Sequence, residues 1–312
     1  MQETQEVYCK TMITNQHPIF IGVRISPPYL RILVRAPAIG LTCSYCPTEW
    51  AIQVVRPSVV SEGRKNEEAR MRVRVEVSTM ATEIPWDMVL APGRGLVYDV
   101  LDREAPVVGR YFHDGGMEPY GMVPMGHGAP AFPLAKRRRG KYAAGGQGWF
   151  EVGSPVLDVA AALTQGFKQR EVLDWGGVAF HVLDVTAVDP PEFAAGRARF
   201  RTSTPVVMKG SGRDSTGARV TRQAWLLPTD PEFPAYFQGN LRRKAETLGL
   251  DPEVSLTEIS WVGAKRSFRV GQGAKPGAPI EVELVGAPET LQAVWSWGLG
   301  QANAAGFGWV AA

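Results

Sequence analysis

The order of predicted strands and helices between Met71 and the C-terminus occurs twice, and this repetition constrains the fold more than any other feature. Residues 71–78 alternate between apolar and polar side chains, which predicts a half-buried strand at the start of the first round. That round continues with a predicted helix, two extended segments, a helix and a strand, over residues 93–103, 130–137, 147–153, 157–167 and 179–188. The second round predicts a strand, a helix, two strands, a helix and a short terminal strand, the first five over residues 197–209, 231–248, 256–270, 280–285 and 288–297.

Each round has the order β-α-β-β-α-β, which is typical of the ferredoxin-like fold. The sequence therefore predicts an α+β protein with two tandem ferredoxin-like (RRM-like) domains, one over residues 71–190 and one over residues 191–312. The segment Asp189-Pro190-Pro191 fits a linker, because a proline pair neither continues a strand nor lies inside a helix.

Residues 1–70 differ from the rest, since their apolar runs follow neither strand nor helix period and they end in a charged stretch over 62–70. We interpret them as an N-terminal extension, with Met71 as an alternative start of the functional protein. The potential zinc ligands of the chain lie here, and their spacing is unlike that of the usual zinc ribbons: Cys9, His17, Cys43 and Cys46. We therefore predict no metal and no cofactor.

The charge of the chain is almost balanced, with 34 Lys and Arg against 31 Asp and Glu and a net charge of +3. This excludes a histone-like protein that holds nucleic acid by bulk charge. The chain lacks an apolar run of about 18 uncharged residues and a secretory signal, so we expect a soluble, cytoplasmic protein without a membrane partner.

The sharpest motif lies near the C-terminus, where Gly298, Gly300, Gly306 and Gly308 are spaced Gly-x-Gly-x5-Gly-x-Gly. Such glycines let the backbone turn sharply and approach a ligand, and their bare amides can face phosphate oxygens. The motif is not a dinucleotide fingerprint, because it follows a predicted helix and precedes a strand. We call residues 298–308 the glycine loop.

The glycine loop resembles the signature of the repeat-associated RNA-processing (RAMP) superfamily of CRISPR systems, and most of all its endoribonuclease that cuts precursor transcripts inside each repeat. Residues 199–207 resemble the strand that opens the second domain of that family. Residues 95–101, with Tyr98, and 110–114, with His113, resemble its first helix and its catalytic histidine segment. The resemblance spans about residues 71–310 in order, and residues 1–70 lie outside it.

The resemblance implies a metal-independent endoribonuclease that cleaves CRISPR repeat RNA by 2′-hydroxyl attack, leaving 2′,3′-cyclic phosphate and 5′-hydroxyl ends. His113 would be its general acid or base, and Tyr98 its partner. Members of the family often carry a lysine shortly after the histidine, but residues 114–120 contain no cation. Charge stabilisation would then fall to Arg94, one helical turn before Tyr98, or to the basic cluster at residues 136–141.

Histidine suits the proton transfers because its ordinary pKa, about 6.5, lies near neutral pH. Of the four histidines, His17 lies in the extension and His181 in an apolar strand, where we expect it to be packed. His127 lies between two glycines and is the second candidate. His113 ends an apolar helical stretch, from which we expect it to project.

Local clusters of cations are the predicted phosphate contacts. Arg197, Arg199 and Arg201 alternate onto one face of a predicted strand, and Lys209 follows. A second cluster contains five cations in six residues: Lys136, Arg137, Arg138, Arg139 and Lys141.

Several alternatives stay open at the level of sequence. The first is a non-catalytic RNA-binding subunit of a CRISPR interference complex, for which the pair of Tyr98 and His113 would have no purpose. The second is an RNA-binding module unrelated to CRISPR. Association with a CRISPR effector complex and formation of a homodimer are likewise open.

Overall fold

A computed structural model describes residues 6–11, 19–26, 29–32, 71–213, 216, 219–270 and 273–311. The chain divides into two compact units, Met1–Ser58 and Val59–Ala312. The first unit contains an antiparallel sheet of three strands in the order β1-β2-β3: β1 (Glu6–Thr11), β2 (Ile19–Ser26) and β3 (Tyr29–Ile32). The apolar run 19–23, for which the sequence predicted no period, lies in β2. The zinc candidates His17, Cys43 and Cys46 lie outside the described residues, and of Cys9 only the backbone is described.

The first ferredoxin-like half begins at Arg72 and contains a five-stranded antiparallel sheet in the order β6-β8-β4-β10-β9. The strands of this half are β4 (Arg72–Thr79), β5 (Glu83–Ile84), β6 (Gly126–His127), β7 (Tyr142–Ala143), β8 (Gly146–Gly153), β9 (Val172–Asp174) and β10 (Ala179–Val188). Of these, β5 and β7 pair with each other in a separate two-stranded sheet. Its helices are α1 (Ala91–Glu104), α2 (Pro106–Asp114) and α3 (Leu157–Lys168).

Alternation along β4, the central strand of this sheet, places its valines on one face. Val73, Val75 and Val77 are buried on one face, where they join a core to which α1 and α3 contribute Val97, Leu163 and other apolar residues. The prediction of an extended segment over residues 130–137 is wrong. Apart from a bridge between Ala131 and Trp149 it is loop, because Pro130 and Pro133 have no amide hydrogen for a ladder.

The second half repeats the arrangement with the sheet order β11-β17-β14. Its strands are β11 (Arg197–Arg201), β12 (Met208–Arg213), β13 (Arg219–Leu226), β14 (Ser255–Val262), β15 (Arg266–Val270), β16 (Gly273–Gly277) and β17 (Ile280–Val285). Its helices are α4 (Phe233–Leu248) and α5 (Pro288–Trp297). The end of the chain pairs with the end of β11 through a bridge between Thr202 and Val310, which supplies the fourth strand position.

Two predicted long strands are each divided in the structure. Residues 197–209 form β11 and the start of β12, because Pro205 cannot donate to a ladder and the chain bends before it. Residues 256–270 form β14 and β15, separated by a turn after Gly263. The strands β12–β13 and β15–β16 are hairpins added to the ferredoxin-like framework.

One buried guanidinium joins the two halves. Arg72 is fully buried, and its Nη atoms donate to the carbonyl oxygens of Val310, at 2.9 Å, and Trp295. The guanidinium carbon lies 4.0 Å from the ring centroids of both Trp295 and Trp309. Desolvation lowers the pKa of Arg72 to about 9, and the Glu151 carboxylate, 3.5 Å away, opposes that shift. The side chain therefore remains a cation at neutral pH, held between two indole rings.

We expect Arg72→Met to lower the free energy of unfolding by about 3 kcal/mol, because it leaves two buried carbonyl groups without their donor. The matched control is Arg74→Met on the same strand. Arg74 pairs with the same Glu151, at 2.7 Å, but is one-third exposed, so the expected loss is about 1 kcal/mol or less. Urea denaturation measures both, and equal losses would contradict this role for Arg72.

Candidate active site

A cleft of about 310 Å³ brings elements from both halves together. Arg94 and Tyr98 of α1 lie on one side, with the glycine loop and α4 opposite. The hairpin β15–β16 closes a further side with Val270 and Lys275. The cleft therefore contains two of the three predicted catalytic residues, and it is lined by the predicted glycine loop.

Tyr98 and His113 meet because α1 and α2 pack against each other. Their ring centroids lie 6.1 Å apart at an interplanar angle of 58°. Gly109 permits this approach, since a Cβ there would lie 2.5 Å from a carboxylate oxygen of Asp102. His113 is exposed in the last turn of α2, a helix that was not predicted as a separate element.

Tyr98 is half-buried, and burial raises the pKa of its phenol, although the neighbouring Arg94 opposes the shift. The guanidinium carbon of Arg94 lies 5.6 Å from the Tyr98 ring centroid. Tyr98 therefore keeps its proton at neutral pH and acts as a hydrogen-bond donor. This leaves the exposed imidazole of His113 as the group of the pair that can accept a proton.

Lys275 is a candidate functional residue that the sequence analysis missed. It is half-buried in the cleft, and its pKa is lowered by desolvation and by the positive charges of Lys209 and Arg94. Lys209 and Lys275 also lie over the same aromatic ring, that of Trp225, with their Nζ atoms 5.2 and 5.9 Å from its centroid. No sequence signal marks Lys275, because a hairpin inserted into the domain carries it to the site.

The glycine loop is compact, and its glycines are needed for its own shape. Gly298, Gly300, Gly306 and Gly308 all have left-handed φ angles, between 65° and 100°. A Cβ on Gly308 would lie 1.8 Å from the carbonyl oxygen of Leu299. The amides of Gly298, Gly306 and Gly308 donate to carbonyl groups of the protein, so they do not face a ligand as the sequence suggested. Gly300 lines the cleft and remains the candidate for phosphate contact.

A buried lysine holds the two arms of the loop together. Lys244 of α4 is 2% exposed, and its Nζ donates to the carbonyl oxygen of Gly298, at 2.5 Å, and to Oδ1 of Asn303, at 2.7 Å. Asn303 donates through Nδ2 to the carbonyl oxygens of Leu299 and Phe307, at 3.0 and 2.9 Å. Burial holds the pKa of Lys244 well below its ordinary value. We call Lys244 and Asn303 the loop clamp.

The other described histidines, His127 and His181, do not line the cleft. His127 is buried in β6, and its imidazole lies so close to Gly93 and Gly306 that a Cβ on either would approach it within 2.6 Å. Desolvation lowers the pKa of His127 to about 4, although a hydrogen bond to the Gly128 carbonyl oxygen, at 3.1 Å, opposes the shift.

His181 is exposed on β10, so the expectation that it is packed was wrong. Its neighbour Phe180 takes the buried position, since the two alternate across the strand.

The predicted cation clusters lie away from the cleft, except for Lys209. Arg197, Arg199 and Arg201 are exposed on the face of β11 opposite Ala198 and Phe200, which pack with α4 and α5. Glu283 lies 3.2 Å from Arg197 and 3.8 Å from Arg199, and Glu281 lies 3.7 Å from Arg201. This face therefore has mixed charge. The second cluster, Lys136, Arg137, Arg138, Arg139 and Lys141, is exposed, with Lys141 paired to Glu83 at 2.8 Å. RNA contact by both clusters remains a prediction.

No group of three or more His, Cys, Asp and Glu side chains has a metal-binding arrangement within the part of the chain that the structure describes. None of the helices in that part is long and apolar enough to cross a membrane.

Comparison with known proteins finds a similarity to one family in the second half. Residues 188–312 match the family model "CRISPR associated protein Cas6, C-terminal". No curated protein sequence matches the chain.

Solved structures share the whole fold of the two halves. A RAMP protein described as binding different RNA substrates has a TM-score of 0.65 and 16% identity, covering 77% of this chain and 98% of that chain. A Cas6-related protein from Pyrococcus furiosus has a TM-score of 0.62 and 14% identity, with 78% and 98% covered. A CRISPR associated protein Cas6 has a TM-score of 0.61 and 18% identity, with 77% and 98% covered. These matches confirm the predicted tandem ferredoxin-like fold.

We expect acid to destabilise the protein through His127. Its folded pKa, about 4, lies below the ordinary value, so between about pH 6.5 and pH 4 the unfolded chain takes up a proton that the folded chain refuses. The free energy of unfolding should fall by about 3 kcal/mol over this window and show no contribution from His127 above it.

Urea denaturation at several pH values, on wild type and His127→Gln, measures this contribution. The Gln variant should have a flatter pH dependence than wild type between about pH 6.5 and pH 4. A wild-type slope in His127→Gln would show that the imidazole is accessible to protons in the folded state.

Proposed function

We propose that this chain, whose residues 188–312 match the Cas6 C-terminal family, is a metal-independent endoribonuclease that binds CRISPR repeat RNA and cleaves it in precursor transcripts to give mature guide RNAs. The observation that carries the proposal is the convergence of Tyr98 and Arg94, the neighbouring His113 and the glycine loop at one cleft. These residues come from opposite ends of the two-domain unit, and folding alone brings them together.

The reaction begins when the 2′-hydroxyl oxygen attacks the adjacent phosphorus. His113 accepts the hydroxyl proton as general base, the bond from O2′ to phosphorus forms, and the bond from phosphorus to the 5′-oxygen breaks. The leaving oxygen takes a proton and becomes a 5′-hydroxyl, while the other product carries a 2′,3′-cyclic phosphate. The protonated phenol of Tyr98 supplies a hydrogen bond to the phosphorane or to the leaving oxygen.

Negative charge on the phosphorane requires cations that are already in position. Arg94 supplies one from α1. Lys275 supplies a second from the hairpin, and this cation takes the place of the lysine that is missing from residues 114–120. Lowering of the Lys275 pKa also makes its ammonium a stronger acid than an ordinary lysine, which suits donation to the leaving oxygen.

Binding of the RNA depends on the position of the cations, because the net charge of the chain is only +3. Lys209 and Lys275 beside the cleft position the scissile phosphate. The exposed basic cluster at 136–141 and the arginines of β11 are candidates for contacts further along the RNA. Membership of an effector complex and dimerisation remain predictions from the resemblance.

A non-catalytic RNA-binding subunit is the alternative. Such a subunit would use the cleft and its cations, but it would gain nothing from an imidazole held beside a phenol. The close approach of α1 and α2 at Gly109, which creates that pair, therefore favours the enzyme.

Cleavage of a labelled repeat RNA in EDTA tests the proposal. Wild type should cleave without added metal, and His113→Ala should cleave about 10²- to 10⁴-fold more slowly, because general acid–base catalysis supplies a factor of that order. The matched control is His181→Ala, at a second exposed histidine on β10, which should retain the wild-type rate.

Three outcomes would count against the proposal. A requirement for added metal would remove the mechanism, and full activity in His113→Ala would remove the assignment of the base. A wild-type protein that binds repeat RNA but never cleaves it would favour the non-catalytic subunit.

A further inference from the structure

The hairpin β15–β16 also lines a second groove, of about 570 Å³. Trp86 and Asp87 form one wall, and residues 266–269 with Ala274 form the other. We call it the Trp86 groove. None of its residues takes part in the cleavage mechanism above.

Trp86 presents an exposed but fixed aromatic surface. Its side chain is 41% exposed, although its indole Nε1 donates to the carbonyl oxygen of Gly140 at 2.9 Å. Tyr142 packs edge-on against the ring at 5.4 Å, and Phe268 lies 6.3 Å away at a tilt of 47°. A ring held in this way loses little conformational entropy when another flat group stacks on it.

The surroundings of Trp86 are positively charged. The guanidinium carbon of Arg266 lies 5.6 Å from the Trp86 ring centroid, and Arg269 lines the same groove. The hydrogen bond to Gly140 ties Trp86 to the loop that carries the exposed cations of residues 136–139. Asp87 is the one acidic residue among those that line the groove, so cations outnumber it.

We propose that the Trp86 groove binds a nucleobase of single-stranded RNA, stacked on the indole of Trp86, with the flanking phosphates held by Arg266 and the basic cluster at 136–141. An aromatic ring beside cations is the arrangement that single-stranded nucleic acid recognises, since every base has a flat face and every linkage a negative charge. The base must be unpaired, because a base inside a duplex cannot reach the ring. The proposal rests on RNA being the ligand of the proposed function.

The hairpin joins this groove to the cleft. Val270 and Lys275 of β15–β16 line the cleft, whereas residues 266–269 and Ala274 of the same two strands line the groove. One RNA strand can therefore pass from the cleft across the hairpin to Trp86. The groove would then hold an unpaired part of the substrate outside the scissile linkage, which adds affinity without adding to the chemical step.

Photocrosslinking tests the contact directly. The probe is an oligouridylate of about ten nucleotides that carries 5-iodouridine, long enough for one stacking site and its phosphates. Irradiation of the full chain with this probe, followed by peptide mass spectrometry, should locate the crosslink at Trp86. Anisotropy with the same oligouridylate should show binding about tenfold weaker in Trp86→Ala, with Trp86→Phe close to wild type because the stacking surface is retained.

The matched control is Trp261→Ala. Trp261 is 39% exposed and carries Arg201 over its ring at 4.4 Å, so it has the same residue type, exposure and cation as Trp86 at another place. Its substitution should leave the Trp86 crosslink unchanged and should lower the oligouridylate affinity less than Trp86→Ala does. Equal loss in both variants, or a crosslink elsewhere with unchanged affinity in Trp86→Ala, would overturn the proposal. Circular dichroism melting of each variant separates lost binding from lost folding.

The two proposals fail in different ways. If the groove is right and the cleavage proposal is wrong, the oligouridylate crosslinks to Trp86 but repeat RNA is never cut. If cleavage is right and the groove is wrong, His113→Ala abolishes cutting while Trp86→Ala changes neither KM nor kcat. If both are right, Trp86→Ala raises KM for a repeat RNA with single-stranded flanks and leaves kcat unchanged.

Discussion

The buried guanidinium of Arg72 is the interaction on which the arrangement of the two halves depends. It comes from the central strand of the first sheet and binds the end of α5 and the last strand position of the second half. A buried cation is costly to desolvate, and here two carbonyl oxygens, two indole faces and the Glu151 carboxylate compensate. Since α5 leads directly into the glycine loop, the same contact fixes that loop relative to α1. The cleft exists because the glycine loop and α1 are held at fixed positions relative to each other.

The glycine loop is compact, so we expect it to contribute shape to the cleft and not a set of free amides for phosphate oxygens. Its amides at Gly298, Gly306 and Gly308 are used inside the protein, and the loop clamp of Lys244 and Asn303 satisfies further carbonyl groups. The charge that faces the cleft comes instead from side chains on α1 and on the added hairpin. The glycine loop therefore supplies shape, and α1 and the added hairpin supply the cations.

Local patterns predicted much of the fold, because they depend on neighbours in sequence. The alternation of β4, the bounds of β17 and α5 and the exposed face of Arg197, Arg199 and Arg201 all follow from period alone. Non-local contacts were not predictable. Arg199 lies beside Glu283 because β11 and β17 pair in one register, and no sequence rule places Lys275 beside Arg94. The predicted strand 197–209 is divided at Pro205, because proline cannot donate to a ladder. The alternating pattern alone did not predict this division.

We propose that cleavage takes place where α1, α2, the glycine loop and the hairpin meet. A structure of the protein bound to repeat RNA, with a 2′-deoxy nucleotide at the scissile position to prevent attack, tests it most directly. We expect the scissile phosphate within hydrogen-bond distance of Tyr98 and Lys275, with the modified sugar facing His113. A scissile phosphate bound instead on the arginine face of β11 would contradict it.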